Sequence, residues 1–211
     1  MKIIDLSHPI FDGMPVYPGA EHPVLESVAA VRQDGYAEKR ISFFSHTGTH
    51  VDAPSHIFHA GLSLDHLVAD HFVGSAVVLN FSSMPAKTIE SADLEPYRQL
   101  LQHTDFALIH TGWSRHWGHD AYFFGYPVLS ETAADWICNF RLKGLGVDAL
   151  SVDLPDAPQL PVHRRLLDHQ IVIIENLNHL QDLPPSGFIF IAFPLPIRDG
   201  DGSPVRAIGM I

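Results

Sequence analysis

Two histidines and an aspartate that lie close together in the chain have the residue types and the spacing of a metal site. His50 follows His46 by four residues, and Asp52 follows His50 by two. The β-branched residues between them, together with Gly48, disfavour a helix and predict an extended segment. Side chains of an extended chain alternate with a period of two, so all three polar groups are expected on one face. Two imidazoles and a carboxylate on one face suit Zn²⁺ or Mn²⁺ and leave positions for water or a substrate.

Gly48 falls on the same predicted face, where the lack of a side chain would leave room for a metal ion and its water. The alternative is that these histidines are solvated or paired within a core, because the chain has 15 histidines against 13 lysines and arginines. Four further histidines near the motif are candidates for holding a metal ligand in place, and they are His8, His59, His66 and His71.

A second pair of candidate ligands lies far along the chain. His163 begins a weakly marked helix, and Glu175 directly follows an apolar run from Ile171 to Ile174. A carboxylate at the end of a buried strand is unfavourable unless it is paired or bound to a cation. Glu175 could therefore bind a metal ion, meet a basic side chain or emerge into solvent. Asp153 is a candidate support for the same site or an ordinary turn residue.

The elements that must position these residues are mostly short strands. Eight runs rich in Val, Ile and Phe have the length of strands, and they are Ile3 to Leu6, Arg40 to Ser45, Gly74 to Phe81, Phe106 to His110, Gly146 to Val152, Ile171 to Ile174, Phe188 to Phe193 and Val205 to Ile211. Three helices are predicted, and they are Ala92 to Gln102 with Ser91 as N-cap, a helix capped by Ser130 and stopped by Gly144, and Val162 to Asp168. This balance predicts an α/β or α+β class with a strand-rich core.

The composition limits the classes of function. The 211 residues are 46% hydrophobic and 18% charged, which is typical of a globular chain. The formal net charge of −11 disfavours nucleic acid and anionic membranes as partners, because both bind clustered Lys and Arg. The single cysteine, Cys138, excludes an internal disulfide, and neither a secretory signal nor a membrane-length apolar run is visible. We therefore expect a reducing, cytoplasmic location.

The stretch from His46 to His56 resembles the motif of the cyclase-like metal-dependent hydrolase family, which includes bacterial kynurenine formamidase and isatin hydrolase. Written His-x-Gly-Thr-His-x-Asp-x-Pro-x-His, the motif matches this chain at every fixed position. Three further stretches look like family landmarks, namely residues 15–19, 110–113 and 151–153. The similarity therefore extends through most of the chain.

The resemblance implies which residues bind metal. His46, His50 and Asp52 would bind one divalent ion, Zn or Mn. Asp52 would also join His163 and Glu175 in binding a second ion. The resemblance therefore implies one or two ions per chain, with Asp52 as the bridging residue when there are two.

The same resemblance implies that His56 is the catalytic acid/base. It also implies an α/β fold, a strand-rich swivelling β/β/α-type single domain over residues 1–211 with a mixed sheet and few helices, assembled as a homodimer or homotetramer. Formamidases carry a substrate-contacting Trp where this chain has Tyr17, so Tyr17 is the candidate substrate-binding residue and the substrate is left open. Phe58 and Trp113 are further candidates for an aromatic wall, with core packing as the alternative.

Together these features predict a metal-dependent hydrolase that cleaves a C–N bond of a small amide, formamide or lactam, in the manner of an arylformamidase. A bound metal lowers the pKa of water from about 15.7 to about 7, and His56 would move the proton. One alternative is a metal-dependent cyclase or dehydratase acting on a carbonyl substrate. The other is a non-catalytic metal- or ligand-binding protein on the same scaffold. His56 favours an enzyme, because a structural or storage site needs no acid/base.

Overall fold

A curled sheet of nine strands runs through the centre of the computed structural model, which describes residues 1–84 and 87–211. Within these residues the strands are β1 (Ile3–Asp5), β2 (Val24–Ala29), β3 (Glu38–Ser42), β4 (His50–Asp52), β5 (Val73–Asn80), β6 (Thr88–Ile89), β7 (Phe106–His110), β8 (Val128–Leu129), β9 (Gly144–Val147), β10 (Val172–Glu175), β11 (Phe188–Ile191), β12 (Gly202–Pro204) and β13 (Ile208–Met210). The α-helices of the same residues are α1 (Val31–Asp34), α2 (Ser91–Leu94), α3 (Arg98–Leu101), α4 (Glu131–Ile137) and α5 (Pro161–Asp168). The fold is a mixed α/β single domain with few helices, as predicted.

The main sheet has the strand order β1-β13-β11-β5-β7-β9-β10-β4-β12. Its centre is parallel from β5 through β7 and β9 to β10, and antiparallel strands flank both sides. Parallel strands are normally covered on both faces, and every residue of β7, β9 and β10 is buried. Strands β10 and β4, which carry three of the candidate ligands, form one end of the sheet together with β12.

Two apolar cores cover the two faces of the sheet, and alternating residues of each strand supply them. Leu79 and Ile109 face the core that helix α5 completes with Leu166. Val78 and Leu108 face the opposite core. Successive residues of a strand point to opposite faces, so the continuous apolar runs that mark β5 and β7 in the sequence serve both cores.

The last predicted strand, Val205 to Ile211, is confirmed only as β13 (Ile208–Met210), and it is preceded by β12 (Gly202–Pro204), which the sequence did not predict. Strand β12 pairs with β4 at one end of the sheet, whereas β13 pairs with β1 and β11 at the other end. Between them, the Ala207 carbonyl accepts a hydrogen bond from Leu6 N–H, and Ala207 N–H donates to the Ser7 Oγ. Residues 205–207 are long enough to connect β12 at one end of the sheet with β13 near the other, because the curl of the sheet brings its two ends close together.

The other strand predictions agree in place but differ at their ends, except for β7, which has the predicted bounds. The strand predicted from Gly146 to Val152 begins earlier, at Gly144, and ends at Val147. The strand predicted from Arg40 to Ser45 is β3, which lies outside the main sheet in a hairpin with β2. Sequence patterning does not predict β2, because nearly all of the hairpin is exposed and its residues show no alternation of burial.

The first helix prediction needs correction. The segment Ala92 to Gln102 is divided into α2, a turn of 3₁₀ helix and α3. Pro96 lies in the 3₁₀ turn, and a proline cannot donate the hydrogen bond that would continue the helix. The N-cap is Glu90 rather than Ser91.

The second helix begins where predicted, and the Ser130 Oγ accepts a hydrogen bond from Ala133 N–H at 3.1 Å. It ends at Ile137, so Gly144 begins β9 instead of stopping a helix. The third helix, α5, is confirmed, with Pro161 added at its start. Among the helices of residues 1–84 and 87–211, none has the length and apolar character needed to cross a bilayer.

Candidate metal centre and active site

The segment that carries the motif is a turn followed by a short strand, not one extended stretch. Strand β4 starts only at His50, and Gly48 before it has a left-handed φ of +63°. A Cβ at this position would also lie 3.1 Å from the Met14 Cε. Gly48 is therefore required by the turn and its packing, which corrects the prediction that it shares an extended face with the histidines.

The turn and strand nevertheless bring the predicted ligands together around Asp52, which is almost fully buried. Asp52 Oδ1 lies 2.6 Å from His46 Nδ1 and 3.2 Å from His50 Nε2. Asp52 Oδ2 points the other way and lies 3.7 Å from His163 Nε2. The two oxygens of one carboxylate thus face two different groups of imidazole nitrogens.

Glu175 completes the cluster because β10 pairs with β4 and places Glu175 directly opposite His50. Its carboxylate oxygens lie 3.5 Å from His50 Nε2 and 3.4 Å from His163 Nε2. The backbone N–H of Val152 also donates to Glu175 at 3.2 Å. Glu175 is therefore buried among imidazoles and does not emerge into solvent. Among the described residues it has no Lys or Arg partner.

The two most buried histidines of the cluster, His50 and His163, each have the outer nitrogen fixed by a hydrogen bond, so the inner nitrogen faces the cluster. His50 Nδ1 donates to the Gly48 carbonyl at 2.8 Å, and His163 Nδ1 donates to the Asp153 carboxylate at 2.7 Å. Carbonyl and carboxylate oxygens only accept, so these outer nitrogens carry the hydrogens. In the neutral ring, the inner Nε2 atom then keeps its lone pair, and this is the tautomer that binds a metal ion.

Asp153 belongs to the site and is not an ordinary turn residue. Its two carboxylate oxygens accept hydrogen bonds from Val162 N–H at 3.0 Å and His163 N–H at 2.9 Å, in the first turn of α5. One side chain therefore caps a helix and orients a candidate ligand. The four histidines proposed as supports do not have this role in the described contacts; His8, for example, stacks on Trp117 with ring centroids 3.8 Å apart.

The electrostatics of the cluster favour positive charge. Burial opposes an imidazolium, but the hydrogen bonds with Asp153 and Glu175 outweigh it and raise the pKa of His163 to about 10. Burial likewise opposes charge on His46, yet the attraction of Asp52 raises the pKa of His46 to about 9. Burial alone would raise the pKa of Asp52, but the neighbouring histidines hold it well below its usual value. The same negative field would favour a divalent cation.

The donor set fits such a cation. Among residues 1–84 and 87–211, three overlapping groups place ligand atoms within 4.8 Å of one another, and they are His46 with His50 and Asp52, Asp52 with His163 and Glu175, and His46 with His56 and Asp201. The first two groups are those that the sequence predicted, and mixed imidazole and carboxylate donors suit Zn²⁺ or Mn²⁺. Asp201 was not expected from the sequence.

His56 lies beside the buried cluster, on the side that opens to solvent. It is the last residue of a 3₁₀ turn that follows Asp52, and its ring centroid is 4.1 Å from that of His46 and 5.9 Å from that of His163. Its side chain is 27% exposed, against 3% for His50. Burial lowers the pKa of His56, so the ring is neutral and able to accept a proton near pH 7.

A cavity of about 320 Å³ opens onto this cluster and is walled mainly by apolar and aromatic side chains. Tyr17 lies in its wall, as the sequence predicted, and is 42% exposed. The other apolar and aromatic wall residues are Pro15, Val16, Trp117, Tyr122, Phe123, Leu150, Leu154 and Leu160. None of the described wall residues is Lys or Arg.

Phe58 and Trp113 are not in this wall, which corrects their assignment as candidates. Phe58 packs against the main core and under Arg164, and Trp113 donates its indole N–H to the Tyr122 carbonyl. Sequence reasoning missed Trp117, Tyr122 and Phe123. The only signal was the density of aromatic residues between positions 113 and 126, which does not separate a pocket wall from a core.

The fold and this buried histidine–carboxylate cluster define the class of metal-dependent hydrolases. The chain belongs to the family described as "Putative cyclase", whose model matches residues 4–154. It is 32% identical to a kynurenine formamidase of Bacillus cytotoxicus, over 97% of this chain and 95% of the relative. Among solved structures it is similar to isatin hydrolase A from Labrenzia aggregata, with 26% identity, a TM-score of 0.90, and coverage of 100% of this chain and 93% of that chain.

A further solved structure, titled "predicted metal-dependent hydrolase from Bacillus stearothermophilus", matches with 28% identity and a TM-score of 0.82. The match covers 99% of this chain and 97% of that chain. These similarities confirm the family that the motif indicated, and with it the mixed α/β fold.

Proposed function

We propose that the protein is an amidohydrolase that cleaves the C–N bond of a small amide, formamide or lactam carried on an apolar or aromatic ring. The observation that carries the proposal is the meeting of a fixed histidine–carboxylate cluster with His56 at the floor of one apolar cavity. The kynurenine formamidase and isatin hydrolase relatives support a C–N bond as the target.

We propose that the metal ligands are His46, His50, Asp52, His163 and Glu175. The fixed outer nitrogens of His50 and His163 support this role, since they leave the inner nitrogens free to bind. A bound divalent ion, Zn or Mn, would supply Lewis-acid activation of water and of the carbonyl group. The two oxygens of Asp52 face separate imidazole groups, which supports a count of two ions.

His56 would act as the acid/base. It is neutral near pH 7, partly exposed and next to the candidate ligands, so it can accept the proton of the attacking water and return it to the departing nitrogen. Tyr17 would contact the substrate ring from the cavity wall. The cavity has no Lys or Arg among its described wall residues, which supports a substrate without a carboxylate near its ring.

A metal-dependent cyclase or dehydratase remains the second candidate, because the same donors would polarise any carbonyl. Product analysis separates the two, since amide hydrolysis releases formate or a ring-opened acid. A non-catalytic binding role is disfavoured by the position of His56 at the cavity floor.

The experiment is a screen of formanilide, isatin and simple lactams with the Zn²⁺- and Mn²⁺-loaded protein, together with metal analysis. Formanilide should release formate, and 4-formamidobenzoate should be a poorer substrate because its carboxylate has no cationic partner. His50→Ala should lose both metal and turnover, whereas His56→Ala should keep its metal and lose turnover. Near-normal turnover by the His56 variant would remove His56 from the mechanism.

A homodimer or homotetramer in the cytoplasm completes the proposal. The exposed hairpin of β2 and β3 supports an assembly, because an isolated two-stranded hairpin is only marginally stable in water. Light scattering on the purified protein would give the mass directly, and a monomer would contradict the assembly. Fractionation of the source cells tests the compartment.

A further inference from the structure

The ring of His46 is held between two carboxylates from distant parts of the chain. Its Nδ1 lies 2.6 Å from Asp52 Oδ1, and its Nε2 lies 2.9 Å from Asp201 Oδ2. Both carboxylates only accept hydrogen bonds, and Nδ1 is the nitrogen turned toward the candidate ligand Asp52. When a metal ion binds Nδ1, Asp201 would keep the hydrogen on Nε2. Asp201 therefore stands to His46 as Asp153 stands to His163.

The same oxygen of Asp201 also lies beside His56. Asp201 Oδ2 is 3.8 Å from His56 Nδ1, and the rings of His46 and His56 lie next to one another. A separation of 3.8 Å is longer than a hydrogen bond. Contacts of this kind in enzymes commonly shorten when the substrate binds. One carboxylate oxygen is thus placed to fix the outer nitrogens of both rings.

The backbone holds Asp201 firmly against the strand that carries the ligands. Its carbonyl accepts a hydrogen bond from Ala53 N–H at 2.8 Å, and the Ser45 Oγ donates to its carboxylate at 3.3 Å. The next residue, Gly202, pairs directly with Asp52 across the β12–β4 ladder. The position of the carboxylate is therefore set by the sheet and not by a mobile loop.

We propose that Asp201 is a positioning residue that holds the rings of His46 and His56 together, so that one turns its free nitrogen to the metal ion and the other to the substrate. For His56 this rests on the proposed function. Burial alone would raise the pKa of Asp201, but its hydrogen bond with His46 lowers the pKa below the usual value and keeps the carboxylate charged.

The first test is metal affinity, measured by calorimetry when Mn²⁺ is titrated into the metal-free protein. Asp201→Ala should weaken binding about 10- to 100-fold, the range found when a residue that supports a metal ligand is removed. Asp201→Asn should fall between this variant and the parent, because an amide oxygen still accepts but carries no charge. The matched control is Asp199→Asn, since Asp199 is an exposed residue of the same loop with left-handed backbone that Asn tolerates.

The second test reads the rings directly by ¹⁵N NMR of the zinc-saturated protein. In the parent, the hydrogen should be on His46 Nε2 and on His56 Nδ1. In Asp201→Ala neither ring should keep its hydrogen on one fixed nitrogen, whereas in Asp199→Asn both rings should match the parent. The proposal is overturned if the Mn²⁺ affinity of Asp201→Ala stays within twofold of the parent, or if the His56 signals are unchanged. Loss of one bound ion with unchanged affinity for the others would also overturn it, since Asp201 would then be a ligand itself.

Neither readout uses turnover. If the parent protein hydrolyses no amide, the proposed function is wrong. The Mn²⁺ affinity and the NMR spectra would still decide the role of Asp201.

Discussion

Gly202→Ala should displace His46 with a single added methyl group. Gly202 pairs with Asp52 across the sheet, and the ring of His46 occupies the space that a Cβ on Gly202 would need. A Cβ there would be 2.6 Å from His46 Cε1, 3.0 Å from His46 Nε2 and 3.0 Å from the Val51 carbonyl oxygen. The backbone of Gly202 is not left-handed, so the effect comes from contact and not from a forbidden conformation.

The size of the effect follows from these distances. Carbon atoms in contact are normally about 3.5–4.0 Å apart, so the ring or the strand must give way by about 1 Å. The Val51 carbonyl belongs to β4, which is paired on both sides, so the ring moves. A shift of this size takes the His46 hydrogen bond to Asp201 from 2.9 Å past the limit for such a bond. We expect a loss of stability of about 1–3 kcal/mol from overpacking and a loss of turnover of about 100-fold from a misplacement of about 1 Å.

The assays are urea unfolding of the metal-free protein and turnover of the metal-loaded protein. The control is the same substitution in a His46→Ala background, where the ring is gone and the added methyl has space. There the stability cost of Gly202→Ala should shrink to well under half. An equal cost in both backgrounds would refute the reasoning, because it would place the clash at the Val51 backbone instead of at His46.

Three further predictions follow from other contacts. Chelation of the metal should lower the melting temperature, because an ion present at about 100 times its Kd adds about 2.7 kcal/mol of stability. A melting curve that is the same with and without chelator would contradict a metal site. Asp153→Ala should reduce the free energy of unfolding in urea by about 1–3 kcal/mol, since it leaves the N–H groups of Val162 and His163 without their acceptor. Unfolding identical to that of the parent would count against the role of Asp153 in capping α5. Burial raises the pKa of Cys138 to about 11, and only the thiolate reacts, so the rate with a thiol reagent should be slow at pH 7 and rise about tenfold per pH unit up to about pH 10. A rate that levels off near the ordinary thiol pKa of about 8.5 would show that the pKa is not raised.

Much of the site could be predicted because its parts are local in the sequence. His46, His50 and Asp52 lie within one short motif, and Glu175 ends an apolar run whose burial makes a lone carboxylate unfavourable. The parity of an extended strand explains the motif only in part. The three groups converge through a left-handed turn at Gly48 and not through the parity of one extended strand.

The supporting residues could not be predicted, because nothing local marks them. Asp201 follows a Gly-containing turn and has the appearance of a turn residue, and it is 155 positions from the His46 that it contacts. Its role depends on β12 pairing with β4, and β12 (Gly202–Pro204) lies before the predicted C-terminal strand, in a Gly-containing stretch with no apolar run to mark it. The cavity wall was missed for the same reason, since Trp117 and Tyr122 are placed by turns that lack a periodic pattern.

The pairing of β4 explains why so short a strand can hold a buried charged site. Strand β4 has three residues and could not persist alone, yet β10 and β12 pair with it on either side, each over the same three residues. One neighbour brings Glu175 into the cluster, and the other places Asp201 beside His46. Strand β4, which carries two candidate ligands, is therefore fixed by β10, which supplies the candidate ligand Glu175, and by β12, which follows the supporting residue Asp201. Any change that loosens β12 should reach the candidate metal ligands through this ladder, even though β12 itself contributes none of them.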